Sequence, residues 1–142
     1  MSDQYTPATE FVWPVRVYWE DTDAGGIVFY ANYLKFFERA RTEWLRSLGI
    51  NQSHLREETG GMFVVGETSI KYHLPARLDD ELLVTAALQQ KGQASLTIVQ
   101  RALGRSTNEE RVLCEGSIRI GWVDAASLRP ARIPQRLLEI LK

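Results

Sequence analysis

The chain has 142 residues, of which 44% are hydrophobic and 25% charged, and its formal net charge is −1. That length and balance point to one domain with a real core, able to bury about 68–70% of its unfolded surface, and argue against disordered, collagen-like and membrane-spanning classes. Charge is scattered with no basic stripe, so nucleic acid is not an expected partner. The one cysteine, Cys114, leaves no internal disulfide to form, which fits a reducing compartment.

In chain order, the opening "MSDQYTPATEF" lacks a basic stretch followed by an apolar run, so it does not read as a signal peptide. Residues 1–10 are expected to form a flexible tail, with the single domain covering 1–142. "WPVRVYW" alternates Val15, Val17 and Trp19, a strand pattern. A loop from Glu20 to Phe29 follows. From Ala31 to Leu48 the period becomes helical, with Tyr33, Phe37, Ala40, Trp44 and Leu48 in one stripe that Leu34 and Leu45 widen. Gly49 marks the helix stop.

Beyond that helix, strand patterns take over. Ile70, Tyr72 and Leu74 share a face, then Leu82, Val84, Ala86 and Leu88 alternate up to a turn at Gly92. Leu96, Ile98 and Ala102 follow, and the turn "GRSTNEE" separates them from Val112, Cys114, Ile118, Ile120 and Trp122. "PARIPQRLLEILK" reads as a short helix with Pro134 near its first turn. One long apolar helix followed by four strands on short connections predicts an α+β fold, an antiparallel meander curled around the helix.

The chemistry concentrates in "EDTDAGGIVFYANY". Asp21, Asp23, Gly25 and Gly26 are residues that any strand-to-helix loop would use. "DTDAGG" begins like a calcium loop but fails at its fifth position, Gly25, and at its twelfth, Asn32, so no metal is expected. The functional alternative starts from the helix that begins near Tyr30, whose unpaired amides and positive dipole end face this loop. Amides converging on one point beside a carboxylate suit acyl transfer: the N–H groups hold the oxyanion, and the carboxylate activates water or attacks. There is no GxSxG elbow. His54 and His73 each lack an acidic partner in sequence context, and Cys114 reads as a buried hydrophobe.

"RVYWEDTDAGGIVFYANYLKFFERARTEWLRSLG" resembles the signature of hotdog-fold acyl-CoA thioesterases, closest to the YbgC type associated with Tol-Pal and more distantly the 4-hydroxybenzoyl-CoA thioesterases. The similarity continues through "IKYHLPARLDDEL" and "SLRPARIP". It implies the hotdog fold, a curved antiparallel sheet of about five strands wrapped around a long central helix, and hydrolysis of an acyl-CoA thioester to free CoA and a carboxylic acid. Asp23 would be the catalytic carboxylate, Asp21 a loop-holding group, and the Tyr30 backbone N–H the oxyanion donor. Tyr30 stands where YbgC-type proteins commonly carry histidine. The resemblance further implies a cytoplasmic homo-oligomer, dimer or tetramer, with an acyl carrier protein as a possible partner. No cofactor is needed, since CoA belongs to the substrate. Arg77, Lys91, Arg101 and Arg105 are candidates for CoA phosphates by residue type alone. The alternatives are a non-catalytic acyl-CoA-binding or scaffold protein and a hotdog hydratase or dehydratase.

Overall fold

The computed structural model describes residues 10–105 and 109–141. Strand β1 is Phe11–Arg16. After two short 3-10 turns, Trp19–Asp21 and Tyr30–Asn32, comes helix α1, Tyr33–Ser47. Helix α2 is Gln52–Thr59, and strands β2 (Gly61–Tyr72), β3 (Glu81–Lys91), β4 (Ser95–Arg105) and β5 (Glu110–Asp124) follow, before helix α3, Gln135–Ile140. Of the tail expected over 1–10, all but Glu10 lies outside the described residues, as do positions 106–108 of the "GRSTNEE" turn.

The five strands form one sheet in the order β1-β3-β4-β5-β2, and every pairing is antiparallel. The α+β class and the strand number agree with expectation; the meander needs correction. Only β3-β4-β5 runs consecutively, because β2 crosses over to pair with β5 and becomes an edge strand. Hydrophobic alternation fixes which face of a strand is buried but carries no information about which neighbour it pairs with.

Helix α1 lies on the inner face of the sheet against β1, β3 and β4. Tyr33, Phe36, Phe37, Ala40, Trp44 and Leu45 are its buried residues. They pack with Leu82, Val84, Leu96, Ile98 and Ile118 from the sheet, all nearly fully buried. Leu34, expected to widen the buried stripe, is exposed, and Phe36 takes that role. The outer face of α1 therefore stays open in the single chain. The helix stops as its sequence dictates: Gly49 adopts φ 85°, its amide donates to the Arg46 carbonyl at 2.9 Å, and the Ile50 amide donates to Leu45 at 2.9 Å. That pair of bonds is a Schellman motif, which needs a left-handed residue at the Gly49 position.

Helix α2 is absent from the periodicity because only Leu55 on it is buried. Its signals are its caps: the Asn51 side chain accepts the amides of Ser53 and His54, and Gly60 closes the helix in the left-handed region.

A buried polar bridge ties the middle of α1 to the sheet. The β3–β4 ladder opens where Thr85 and Ala86 face Arg101 and Gln100. There the fully buried Gln100 donates Nε2 to the carbonyls of Phe37 (3.0 Å) and Thr85 (3.1 Å). Its Oε1 accepts Nη1 of Arg41 at 3.0 Å, and Thr85 Oγ1 accepts the Arg101 amide at 3.0 Å. Burial pushes the Arg41 guanidinium below its ordinary pKa.

Candidate active site

The segment between β1 and α1 is built in two parts. The first is anchored by Asp21, which is buried. Its Oδ2 accepts the Tyr18 amide at 2.8 Å, its own amide donates back to the Tyr18 carbonyl at 3.0 Å, and its carbonyl accepts both the Phe29 amide (3.0 Å) and Asn32 Nδ2 (2.8 Å). Asp21 thus joins the end of the β1 connection to the start of the long helix.

The second part is a tight hairpin. Thr22 bridges Val28, the Asp23 amide donates to Ile27 at 2.9 Å, and the Gly26 amide donates to the Asp23 carbonyl at 3.0 Å. Gly26 has φ 80°, as a three-residue hairpin loop closed by a left-handed residue requires. Asp23 is exposed, and its Oδ1 accepts the Gly25 amide at 2.8 Å and the Ile27 amide at 3.4 Å. A Cβ at Gly25 would come within 3.3 Å of that oxygen. Asp23 therefore shapes the turn with one carboxylate oxygen, and among the described residues its Oδ2 has no protein partner. The hairpin docks on the segment before β3, where Val28 donates to Ala76 (2.9 Å), Leu78 donates to Gly26 (3.2 Å) and Ile27 bridges Arg77.

The chain then enters the helix through Tyr30–Asn32. The Asn32 amide donates to the Phe29 carbonyl at 2.8 Å. Among the described residues, the amides of Tyr30 and Ala31 donate to no protein acceptor. Tyr30 itself lines a cleft of about 230 Å³ with Ile27 and Val28 on one wall, Tyr33 at the helix start, and Tyr72 to Pro75 at and just beyond the end of β2. The lining is mostly apolar and aromatic, with a few polar groups at the helix start, as small-molecule clefts tend to be. The Tyr33 hydroxyl accepts the Ala76 amide at 3.2 Å, and burial pushes that phenol's pKa up. Tyr30 lines this cleft; Asp23 sits on the hairpin next to it and is not part of its lining in the single chain.

Of the other residues singled out by sequence, His73 lines this cleft and the rest fall elsewhere. Lys91 donates to the carbonyls of Leu138 (2.7 Å) and Leu141 (2.8 Å), closing the end of α3. Arg101 is held by Glu10 through two bonds of 2.8 and 3.0 Å, at the edge of a larger cleft of about 350 Å³ on the outer sheet face. The Arg77 and Arg105 side chains are exposed. His54 lies in the first turn of α2 and is exposed. His73 corrects the expectation that neither histidine has an acidic partner: its Nε2 lies 3.0 Å from Glu115 Oε2. The β2–β5 register, with Lys71 opposite Glu115, creates that pair, and local sequence cannot reveal it. The Cys114 thiol is buried, which pushes its pKa up to about 12, so it is protonated at neutral pH and no nucleophile. No group of three metal-ligating side chains occurs among the described residues. No described helix is long and apolar enough to cross a membrane.

Comparison with known proteins places this geometry in context. A family model described as the thioesterase-like superfamily matches residues 17–141. The acyl-CoA thioester hydrolase YbgC of Escherichia coli is 40% identical over 134 residues, covering 94% of this chain and 97% of the relative. The acyl-CoA thioesterase YbgC of Haemophilus influenzae is 40% identical over 127 residues, covering 89% and 90%. Among solved structures, the 4-hydroxybenzoyl CoA thioesterase of a Pseudomonas strain superposes with a TM-score of 0.85, covering 92% of this chain and 98% of that one. At 17% identity, that likeness speaks for the fold alone.

Proposed function

The chain belongs to the thioesterase-like superfamily, and from that premise we propose how it hydrolyses acyl-CoA thioesters to free CoA and a carboxylic acid. The thioester carbonyl enters the cleft beside Val28 and Tyr33 and accepts the Tyr30 amide. That N–H, at the positive end of α1, carries the negative charge that develops on the oxygen. The Asp23 carboxylate either takes a proton from a water molecule whose oxygen attacks the carbonyl carbon, or attacks that carbon itself to give an anhydride that water then cleaves. In both routes the C–S bond breaks and CoA leaves as the thiolate, which takes up the proton released by water. Asp21 and Gly25–Gly26 hold the loop that presents it.

The observation that carries this reading is the pair of undonated amides at Tyr30 and Ala31, the first on a residue that lines an apolar cleft, seven and eight residues along the same loop from a carboxylate with a free oxygen. Because Asp23 stands outside the single-chain cleft, the reading includes a second copy of the chain that brings the carboxylate and the cleft together. Strand β2 is an outermost strand of the sheet and carries an exposed Val65, which makes it an open edge for such a copy. The open outer face of α1 leaves room for a further pairing into a tetramer. The same reading takes in a cytoplasmic location, a Tol-Pal association and an acyl carrier protein as an alternative thioester donor. The reaction as written needs no cofactor or metal.

Thiol release, measured across acyl-CoA chain lengths, aromatic acyl-CoAs and an acyl-carrier thioester, tests the proposal. Release from at least one member supports it. Tight acyl-CoA binding with no thiol freed would point to a binding protein, and water loss from a 3-hydroxyacyl-CoA to a dehydratase.

A further inference from the structure

Tyr30 is 63% exposed, so the core does little to hold the residue whose amide the mechanism uses. Its neighbour Phe29 meets its ring at 4.9 Å, and one side chain from the sheet holds it as well. Tyr72, the last residue of edge strand β2, donates its hydroxyl to the Tyr30 carbonyl at 3.0 Å, and its ring meets the Tyr30 ring edge-on at a centroid distance of 6.0 Å. Tyr72 is itself braced by the buried Tyr33, whose ring lies 5.7 Å away. We propose that Tyr72 is a positioning residue: by gripping Tyr30 at both its carbonyl and its ring, it fixes the planar Tyr30–Ala31 peptide unit, and through the Tyr30 backbone dihedrals it limits how the neighbouring Tyr30 amide can turn away from the thioester oxygen. This rests on the reading of Tyr30 given above.

The physical case is geometric. An oxyanion donor works only within about 2.7–3.1 Å of where the charge develops, so a donor that wanders loses much of its effect. A residue in a 3-10 turn with an exposed side chain has freedom to wander. One neutral hydrogen bond and one aromatic edge contact are enough to narrow it. Desolvation raises the Tyr72 pKa, so the hydroxyl remains a donor through the neutral and mildly alkaline range.

Tyr72→Phe keeps the ring and removes only the donated bond. In the full-length chain, kcat for thiol release is expected to fall roughly 3- to 10-fold, the worth of one neutral hydrogen bond, with KM held within about twofold. The pH limbs of kcat stay where they are, and the Tyr30 amide cross-peak in a proton–nitrogen correlation spectrum moves. A kcat equal to that of wild type overturns the proposal. So does a rise in KM alone, which would make Tyr72 a substrate contact, or a shifted pH limb, which would make it an acid or base. Failure of the wild-type chain to release thiol from any acyl-CoA would instead sink the hydrolase reading. The cross-peak still decides the grip in that case, since an unmoved Tyr30 signal in Tyr72→Phe shows that no hold exists.

Discussion

Two polar networks fix α1, one at its start and one beneath its middle. At the start, Asp21, Asn32 and the hairpin around Asp23 hold the chain largely with backbone amides, and of their polar side chains only Asp21 is buried. Beneath the middle, the fully buried Gln100 donates to the Phe37 and Thr85 carbonyls and accepts from the partly buried Arg41 guanidinium. The buried network has every member paired, as an interior site demands, and no buried side-chain polar atom among the described residues lacks a partner. The outer network leaves two amides and a carboxylate oxygen unclaimed. Stability is concentrated in the closed network, and capacity for chemistry remains in the open one.

Substitutions separate the two. Asp23→Asn should bring the largest effect, a loss of about two to four decades in kcat, the span of a positioned acid or base, with Tm near wild type. Thiol-release kinetics beside a thermal melt check it; a Tm that collapses with activity would erase the contrast. Gln100→Leu should do the reverse. Leaving the buried Thr85 carbonyl without its side-chain donor, and taking the second donor from the Phe37 carbonyl, costs about 1–3 kcal/mol, read by denaturant titration, while kcat of the folded fraction changes little.

Asp21→Ala probes the one buried polar side chain of the network at the helix start. Stranding the Tyr18 amide should cost roughly 1–3 kcal/mol and lower activity only as far as the loop loosens. Gly26→Ala sharpens the comparison most finely. An alanine forced to keep φ near 80° costs about 1–2 kcal/mol, which lowers Tm by a few degrees, and kcat shifts only if the turn relaxes away from its shape.

Much of this was readable in the amino-acid order. The Val15–Val17 alternation fell at the end of β1 and just past it, while Trp19, expected on the same side, is exposed in the 3-10 turn that follows. The switch to the Tyr33–Phe37–Ala40–Trp44 stripe located α1, and Gly49 marked the stop because only a left-handed residue closes that motif. The acids and glycines before Tyr30 marked the loop, and the structure assigns each an anchoring or turning contact. Non-local features stayed hidden. Pairing of β2 with β5 rather than β3, the His73–Glu115 contact and the Tyr72 grip on Tyr30 all join residues some 40 or more positions apart, and no local period encodes such partners. Gln100 occupies an inward position between Ile98 and Ala102, so alternation located it correctly, but its polarity concealed that it was core. Helix α2 escaped because an element with one buried residue writes almost no hydrophobic pattern.

The ammonium of Lys91 ends on the last carbonyls of α3, beneath which Leu137 and Leu141 are buried. Any reagent that neutralises that amine, such as the cyanate that accumulates in ageing urea or an acetylating agent, strips both carbonyls of their cation and loosens the final turn from the sheet. Unfolding experiments on this chain are therefore better run in guanidinium, where the denaturant leaves the lysine chemically intact.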